Sequence, residues 1–290
     1  MSNILVIIVT HNGMKWVEKC LCSVAMSTVK ADAFVVDNAS TDGTPEWIEE
    51  NFPGTILVRS KENLGFGAAN NIGMKYALEH GYEYAYLLNQ DAWLLAGTLG
   101  GLLEAFRLSD EAGENFGVLS PMQMSAVPGK VDARFVKWYR ISKPITDSGI
   151  KEMDFVMAAH WMISRRCLET VGGFSPAFKL YGEDDNWLHR ARYHGFHFGA
   201  VNSVEAVHDR LNRPDPKERR MRLKCIASVV KVSDPNACLA WRLVRQPLEL
   251  LGMSVIRWSA IPLKFIPELI KRYKELITLR DQSKRPGAFL

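Results

Sequence analysis

Three short apolar runs, each followed at once by polar residues, restrict the fold of this chain more than any other feature. The runs occupy residues 4–9, 34–36 and 84–88, and stretches with helical periodicity separate them. Short apolar strands that alternate with helices predict parallel strands joined by crossover helices. Because the carboxyl ends of parallel strands lie on one edge of a sheet, where open α/β folds bind ligands, we predict a polar site at that edge.

The residues after these strands are amides, hydroxyls and carboxylates. They are Thr10 and Asn12 after the first strand, Asp37 and Asn38 after the second, and Asn89, Gln90 and Asp91 after the third. A site that contains Asp37 and Asp91 would repel a bare phosphate, so it needs a cation to hold one. The pattern therefore predicts a metal-bridged nucleotide site.

Composition is that of an ordinary globular protein, with 47% hydrophobic and 23% charged residues in a chain of 290. A continuous run of ~18 apolar residues is absent, so we expect no membrane-spanning helix. The first apolar run lacks a preceding basic segment, and a secretory signal is not expected. Five cysteines without metal-ligand or redox spacing indicate reduced, mostly buried thiols in a cytosolic protein.

Charge is distributed unevenly along the chain. Residues 217–290 hold 16 of the 36 Lys and Arg but only 6 of the 32 Asp and Glu. Residues 1–216 therefore hold 20 basic and 26 acidic residues. The sequence Pro214-Asp215-Pro216 interrupts the pattern at the junction. We therefore predict an acidic domain over residues 1–216 and a basic, amphipathic helical tail over residues 217–290.

The predicted tail leaves three interpretations open. Apolar residues at 266, 269, 270, 273 and 277 share one helical face, and Trp241 and Trp258 are residue types found at membrane interfaces. The tail is thus compatible with a membrane surface, with a helical subdomain packed on the body, or with the face of a homodimer.

The second half of the body has a less regular pattern. Scattered Pro and Gly over residues 121–150 predict loops and short antiparallel strands. Residues 154–164 and 196–201 are predicted as strands, and residues 183–194 as a helix.

Five segments carry a family resemblance, in the order in which that family has them. They read VTHN at 9–12, VDNASTDGT at 36–44, NLGFGAANNIG at 63–73, LLNQD at 87–91, and GGF at 172–174 with YGED at 181–184. They resemble the inverting, GT-A-fold glycosyltransferases of family 2, and the third is similar to the rhamnosyltransferase-like branch. The resemblance covers about residues 1–210 and implies a Rossmann-like α/β fold, with a mixed sheet flanked by helices and here extended by C-terminal helices.

The resemblance also implies which residues bind the donor nucleotide. Asp37 would accept the imide N–H of uracil or thymine, which favours a UDP- or dTDP-sugar; its alternative role is to cap a turn or helix. Thr10 and Asn12 would contact base or ribose, or else shape the first loop. The other expected donor-site residues are Asn38, Asn63, Asn70, Asn89 and Gln90, of which the last two would touch ribose or orient Asp91.

Asp91 is the predicted ligand of a divalent cation, Mn²⁺ or Mg²⁺, because such cations prefer carboxylate and phosphate oxygens. The resemblance suggests His208 as a second ligand. The family's first metal-motif aspartate is Asn89 here, so Asp91 is the single carboxylate of that motif. A surface or capping role is the alternative for Asp91, and an ordinary surface or core position is the alternative for His208.

Asp184 is the predicted general base. Inversion by direct displacement needs one carboxylate that takes the proton of the acceptor hydroxyl. Glu183 and Asp185 are alternatives for that role, and all three stand where acidic residues also favour the start of a helix.

The leading functional hypothesis is a metal-dependent enzyme that moves a sugar to a hydroxyl of a glycan or lipid-linked oligosaccharide, in surface polysaccharide synthesis. We expect it in the cytoplasm, with contact to the inner face of the cell membrane. A metal-dependent nucleotidyltransferase is one alternative, although residues 10–13 lack a basic, glycine-rich phosphate loop. A non-catalytic, membrane-docking protein that binds sugar nucleotides is another, and no motif indicates a nucleic-acid partner.

Overall fold

The computed structural model describes residues 2–141, 143–211 and 216–290. Within these residues, nine strands form one mixed sheet in the order β3-β2-β1-β4-β8-β6-β9-β5, and β7 pairs with β9. The strands are β1 (Ile4–Thr10), β2 (Asp32–Asp37), β3 (Ile56–Arg59), β4 (Tyr84–Asn89), β5 (Ala92–Leu94), β6 (Phe116–Ser125), β7 (Ile150–Glu152), β8 (His160–Ser164) and β9 (His197–His208).

Helices join the strands and continue beyond the sheet. The helices of the body are α1 (Val17–Ala25), α2 (Thr44–Asn51), α3 (Phe66–Glu79), α4 (Thr98–Glu111), α5 (Ala133–Arg140), α6 (Arg165–Val171) and α7 (Glu183–Tyr193). The helices of the tail are α8 (Lys217–Ser233), α9 (Leu239–Arg257), α10 (Ala260–Lys271) and α11 (Tyr273–Gln282).

The continuous apolar run in β1 arises because both faces of the sheet are covered. Leu5 and Ile7 face a core that contains α3, α6 and α7, whereas Ile4, Val6 and Ile8 face a second core that contains α1 and α4. Successive side chains of a strand point to opposite faces, so a strand buried on both sides must be apolar at every position. The parallel arrangement of β1 to β4 predicted from the sequence is confirmed.

Strand register brings the predicted polar residues to one edge. Thr10 pairs with Asp37 across β1 and β2, and Val9 pairs with Asn89 across β1 and β4. The residues that follow these strands therefore emerge side by side from the carboxyl edge of the sheet.

The second half of the body differs from its prediction in several places. Residues 121–150 contain the helix α5, where only loops and short strands were expected. Asp132 caps this helix, since its carboxylate accepts hydrogen bonds from Arg134 N and Phe135 N, each at 2.9 Å. Of residues 154–164 only β8 is a strand, and β9 extends seven residues past its predicted end at residue 201.

The tail helices pack around a small core of their own. Cys225, Val229, Leu250, Leu269 and Leu276 form it together with Ala177 and Phe178 of the body. Pro214 and Asp215 of the predicted boundary lie outside the described residues, and the division into residues 1–216 and 217–290 stays a prediction. Within the described ranges, no helix combines the length and the apolar character needed to cross a bilayer.

The last residues of the chain return to the body. Gly173 N donates to Ala288 O at 2.9 Å, and Gly287 N donates to Thr170 O at 3.1 Å. The buried Arg190 side chain donates to the carbonyls of Val171, Gly173 and Ala288. The third core and these bonds of Arg190 and residues 287–290, which we call the clasp, both join the tail to the body.

All five cysteines carry free thiols, as expected. Cys20, Cys167 and Cys225 are buried, Cys22 is half-buried and Cys238 is exposed.

Candidate functional site

A cavity of about 580 Å³ opens at the carboxyl edge of the sheet. Among the residues predicted for the site, seven line it: Asn38, Asn63, Asn89, Gln90, Asp91, Glu183 and Asp184. The other predicted residues lie outside this lining: Thr10, Asn12, Asp37, Asn70, Asp185 and His208. The cavity also has Arg210 and Arg219 in its wall, so it contains basic side chains beside the predicted acidic ones.

Asp37 lies buried beneath the first two loops. Its carboxylate accepts hydrogen bonds from the Thr10 hydroxyl at 2.9 Å, from Ser40 N at 3.0 Å and from the Ser40 hydroxyl at 2.5 Å. These bonds hold together the loops that follow β1 and β2. They fit the turn-capping alternative for Asp37, while its predicted contact with a base stays a prediction.

Asn12 and Asn38 fix the same loops from either side. Asn12 adopts a positive φ of 49°, and its side-chain oxygen accepts a hydrogen bond from Thr41 N at 2.9 Å. Asn38 donates to Asn63 Oδ1 at 3.0 Å and accepts from Leu64 N at 2.7 Å. Asn38 and Asn63 thereby form part of the cavity wall, and Asn12 joins the loops that follow β1 and β2.

Gln90 is positioned by the backbone of His11. The Gln90 amide accepts from His11 N at 2.8 Å and donates to His11 O at 3.2 Å. This paired bond orients the turn between β4 and β5, next to Asn89 and Asp91. Asn70, by contrast, bonds back to Phe66 O at 2.9 Å within α3 and is buried away from the cavity.

Asp91 and His208 lie together although they are far apart in sequence. Asp91 precedes β5, and β5 pairs with the end of β9 in a register that puts Ala92 opposite His208. His208 Nε2 lies 3.5 Å from Asp91 Oδ1, and both side chains are almost fully buried. The juxtaposition that the resemblance implied for these two residues is therefore present.

A second buried imidazole lies behind this pair. His160 Nε2 lies 3.0 Å from Val207 O, and its Nδ1 lies 2.9 Å from the Tyr86 hydroxyl. Burial, and then the neighbouring His208, lower the pKa of His160 to about 3, so the ring is neutral. Since a carbonyl only accepts, Nε2 carries the proton and Nδ1 accepts from Tyr86.

The donor set fits a divalent cation that has only a few protein ligands. Asp91 lines the cavity, and its Oδ1 lies 3.5 Å from Nε2 of His208, which is buried next to it. In the described part of the chain, no group of three or more His, Cys, Asp and Glu side chains could hold a metal ion. A cation at Asp91 and His208 would thus take its other ligands from phosphate oxygens and water, as Mg²⁺ and Mn²⁺ do.

Three consecutive acids begin α7, which reaches the same cavity as Asp91. Gly182, at a φ of 88°, turns the chain so that α7 starts at Glu183. Glu183 and Asp184 face the cavity and Asp185 does not. Burial, and then the charge of Asp184, raise the pKa of Glu183 to about 8 and that of Asp185 to about 7.

Asp184 differs from its neighbours in the groups that stabilise its charge. Burial also raises the pKa of Asp184, but backbone N–H groups of Asp185 and Ala158 and the charge of Arg210 act against that rise. The Asp185 N–H donates to Asp184 Oδ1 at 2.9 Å. Glu183 Oε2, by contrast, is buried without a hydrogen-bond partner among the described residues.

Several lining residues were not predicted from the sequence. His11 directly follows the predicted Thr10, and Arg210 closely follows His208, so the motif positions gave a signal for both. Tyr181 stands in the quoted motif at 181–184, which gave a signal for it as well. Arg219 gave none, because α8 approaches the site only in the folded protein. Arg219 donates to the Tyr181 hydroxyl and lies 5.2 Å from its ring centroid.

Trp187, in α7 close to the three acids, belongs to the core rather than to the cavity. It is fully buried, its ring centroid lies 5.5 Å from that of Trp161, and its Nε1 donates to Gly172 O at 2.9 Å.

Comparison with protein families gives a match over more than half of the chain. The sequence model of the family described as "Glycosyl transferase family 2" matches residues 5–172. A low-salt glycan biosynthesis hexosyltransferase, Agl10, of Haloferax volcanii is 24% identical over 189 residues, which is 62% of this chain and 59% of that protein. An N-acetylglucosaminyl-diphospho-decaprenol L-rhamnosyltransferase of Mycobacterium tuberculosis is 24% identical over 237 residues, 72% of this chain and 76% of that protein.

Solved structures share the fold. Residues 1–349 of Staphylococcus aureus TarS in complex with UDP give a TM-score of 0.60 at 16% identity, over 98% of this chain and 88% of that one. The mannosyltransferase PcManGT of Pyrobaculum calidifontis, in complex with GDP-Man and Mn²⁺, gives a TM-score of 0.56 at 19% identity. The match covers 97% of this chain and 87% of that one. These likenesses confirm the predicted GT-A fold, a mixed α/β sheet flanked by helices.

Proposed function

The chain belongs to glycosyl transferase family 2, and on this premise we propose that it moves a sugar from a nucleoside-diphosphate sugar to an acceptor hydroxyl, with inversion. The observation that carries the proposal is the meeting of Asp91 with Glu183 and Asp184 in one cavity of about 580 Å³. A nucleotide diphosphate at Asp91 would place its sugar between that residue and the acidic start of α7. The cavity size is in the range of small-molecule sites.

The donor side would be formed by the edge of the sheet. Asn38, Asn63 and Gln90 line the cavity and offer amide groups to base and ribose. Asp37 is buried and does not line the cavity. It supports the choice of a UDP- or dTDP-sugar only through its position in the family motif. A structural neighbour was solved with UDP, which supports the same choice.

Asp91 and His208 would hold the divalent cation, Mn²⁺ or Mg²⁺. When bound there, the cation would supply positive charge to the diphosphate leaving group. The support is the donor set itself, and a structural neighbour whose complex contains Mn²⁺.

Asp184 is the base in this proposal. Glu183 and Asp185 have pKa values raised to about 8 and about 7, so near neutral pH Glu183 is mostly protonated. The N–H donors and Arg210 favour the ionised form of Asp184, and it faces the cavity. It would take the proton of the acceptor hydroxyl as that oxygen attacks the anomeric carbon and the nucleoside diphosphate leaves.

We extend the proposal to a lipid-linked or glycan acceptor in surface polysaccharide synthesis. The names of the two relatives, a glycan-biosynthesis hexosyltransferase and a rhamnosyltransferase of a diphospho-decaprenol sugar, support it. Contact of residues 217–290 with the inner face of the cell membrane belongs to the same proposal. A homodimer is the alternative use of that surface.

The test measures nucleoside-diphosphate release and donor binding for UDP-, dTDP- and GDP-sugars, with Mn²⁺, Mg²⁺ or EDTA. Wild type is compared with Asp91→Asn, Asp184→Asn and the matched control Asp110→Asn in α4, outside the cavity. We expect one donor to be bound and slowly hydrolysed with metal, Asp91→Asn to abolish metal-dependent binding, and Asp184→Asn to keep binding while turnover falls about 10²-fold or more.

Two results would contradict the proposal. If no donor binds in a metal-dependent way, the nucleotide site is wrong. If Asp184→Asn releases nucleoside diphosphate at the wild-type rate, Asp184 is not the base, and Glu183→Gln and Asp185→Asn then decide between the two other acids. Donor binding without turnover in wild type would favour the non-catalytic binding protein.

A further inference from the structure

The outer face of α9 is apolar and exposed. Five side chains repeat at spacings of three and four residues and are 46–67% exposed: Trp241, Val244, Leu248, Leu251 and Val255. We call them the α9 row. At the end of α9, Ile256 is 76% exposed and Trp258 is 96% exposed.

The opposite face of α9 is already occupied. Leu250 is fully buried in the core of the tail, with Leu243 packed against it. The α9 row is therefore a second apolar face of the helix, separate from the face that packs in the core of the tail. A contiguous row of large apolar side chains on a surface marks a site of contact with a partner or a membrane.

A basic cavity adjoins the end of the α9 row. It has a volume of about 560 Å³ and is lined by Lys217, Arg220, Lys224, Arg257 and Trp258, with Glu218 as its acidic member. The Trp258 ring thus stands at the boundary between an apolar face and a cationic one. This is the side-chain arrangement of a helix that lies in the headgroup region of a bilayer.

We propose that the α9 row and the basic cavity form one docking surface for a bilayer with anionic headgroups. The apolar row enters the boundary between headgroups and acyl chains, and the basic cavity receives a lipid phosphate. The inference deepens the proposed function by placing the membrane contact on named residues. It rests on that proposal only in the choice of a lipid-linked acceptor.

Charge favours an anionic bilayer over a second copy of this chain as the occupant. Residues 217–290 hold 16 Lys and Arg against 6 Asp and Glu. A symmetric dimer through α9 would use the same surface on both copies and bring two cationic tails together. An anionic leaflet is attracted by each basic side chain near its surface.

A groove leads from this surface toward the candidate site. A third cavity, of about 370 Å³, shares Leu180, Tyr181 and Arg219 with the site cavity. It shares Glu218 with the basic cavity and also has Arg222 in its wall. An acceptor anchored in the docked bilayer could therefore approach the site along the N-terminal half of α8.

The experiment is vesicle flotation of the full chain with phosphatidylcholine vesicles, with and without a one-third share of phosphatidylglycerol. Two test variants are Leu248→Glu/Val255→Glu in the α9 row and Lys217→Glu/Lys224→Glu in the basic cavity. Met26→Glu, at an exposed apolar residue, and Lys75→Glu, at an exposed lysine of α3, are the matched controls. Donor binding and sedimentation velocity are measured on every preparation.

We expect wild type and both controls to float with anionic vesicles. Each test variant should bind these vesicles at least about tenfold more weakly than wild type. Donor binding should be unchanged, which shows that the variants are folded. Failure of wild type to bind anionic vesicles overturns the inference, as does unchanged binding by both test variants. If wild type is a dimer and Leu248→Glu/Val255→Glu dissociates it, the inference is overturned in favour of a second copy. If wild type binds vesicles but no donor, that result counts against the proposed function alone.

Discussion

At the residue scale, burial decides how the three acids at the start of α7 share their charge. Glu183 is 6% exposed, and its Oε2 atom has no hydrogen-bond partner among the described residues. Burial, and then the charge of Asp184, make the protonated form of this carboxyl the more stable one. The protein therefore holds Glu183 mostly as a neutral glutamic acid at neutral pH.

This arrangement predicts a pH-dependent stability. The pKa of Glu183 rises from an ordinary 4.5 to about 8 in the folded protein. Between these values the unfolded chain has released a proton that the folded protein still binds, so stability falls as pH rises through that interval. Glu183→Gln cannot ionise, and we expect it to exceed wild type in free energy of unfolding by about 2 kcal/mol above pH 8.

Urea unfolding of both proteins across that interval measures the effect. Glu83→Gln, at an exposed glutamate, should follow the wild-type curve. A constant difference between Glu183→Gln and wild type at all pH values would show that Glu183 does not titrate as inferred.

At the element scale, Pro247 inside α9 has a compensating partner. Proline lacks the N–H that would bond to the carbonyl four residues earlier, that of Leu243. The Tyr273 hydroxyl at the start of α11 donates to that carbonyl at 2.7 Å. One hydrogen bond thus satisfies the interrupted helix and joins α9 to α11.

A double-mutant cycle tests this account. We expect Tyr273→Phe to lower the free energy of unfolding by about 1–2 kcal/mol, because it leaves the Leu243 carbonyl without a donor. In a Pro247→Ala background the restored N–H should supply that donor, and the cost of Tyr273→Phe should fall by half or more. Tyr193→Phe, at an exposed tyrosine, serves as the control. If Tyr273→Phe costs the same in both backgrounds, the Tyr273 hydroxyl does not replace the N–H that Pro247 lacks.

At the scale of the whole molecule, the end of the chain supports the loop that leads to the acidic residues. Arg190, in α7, is fully buried and donates to the carbonyls of Val171, Gly173 and Ala288, and it stacks on Phe289 at 4.7 Å. Gly172 has a φ of 79°, and a Cβ there would lie 2.0 Å from Ala288 O. Gly172 is thus required by the close approach of Ala288.

We predict that Arg190→Ala costs about 3 kcal/mol of stability, since it leaves buried carbonyls without donors. Removal of residues 287–290 should also destabilise the protein. Because the two changes act on one set of contacts, Arg190→Ala should cost less in the shortened chain than in the full one.

Chemical denaturation of the four proteins gives the coupling energy. Arg192→Ala, at a more exposed arginine of the same helix, is the matched control and should cost the same in both chains. Additive effects of Arg190→Ala and the deletion would mean that the clasp does not couple α7 to the end of the chain.

The sequence by itself determined the strands β1 to β4, the helices between them and the edge at which their polar residues meet. These features depend on local periodicity and on the shared direction of parallel strands. Five motifs in family order added the fold, which the comparisons confirm.

Only the tertiary structure decided which of those polar residues face the cavity and how they are charged. The β5–β9 pairing brings His208 to Asp91, Ser40 and Thr10 engage the carboxylate of Asp37, and α8 carries Arg219 to Tyr181. These contacts join residues far apart in sequence or depend on burial. Local periodicity does not record them, because they are set by the packing of the sheet, the helices and the returning end of the chain.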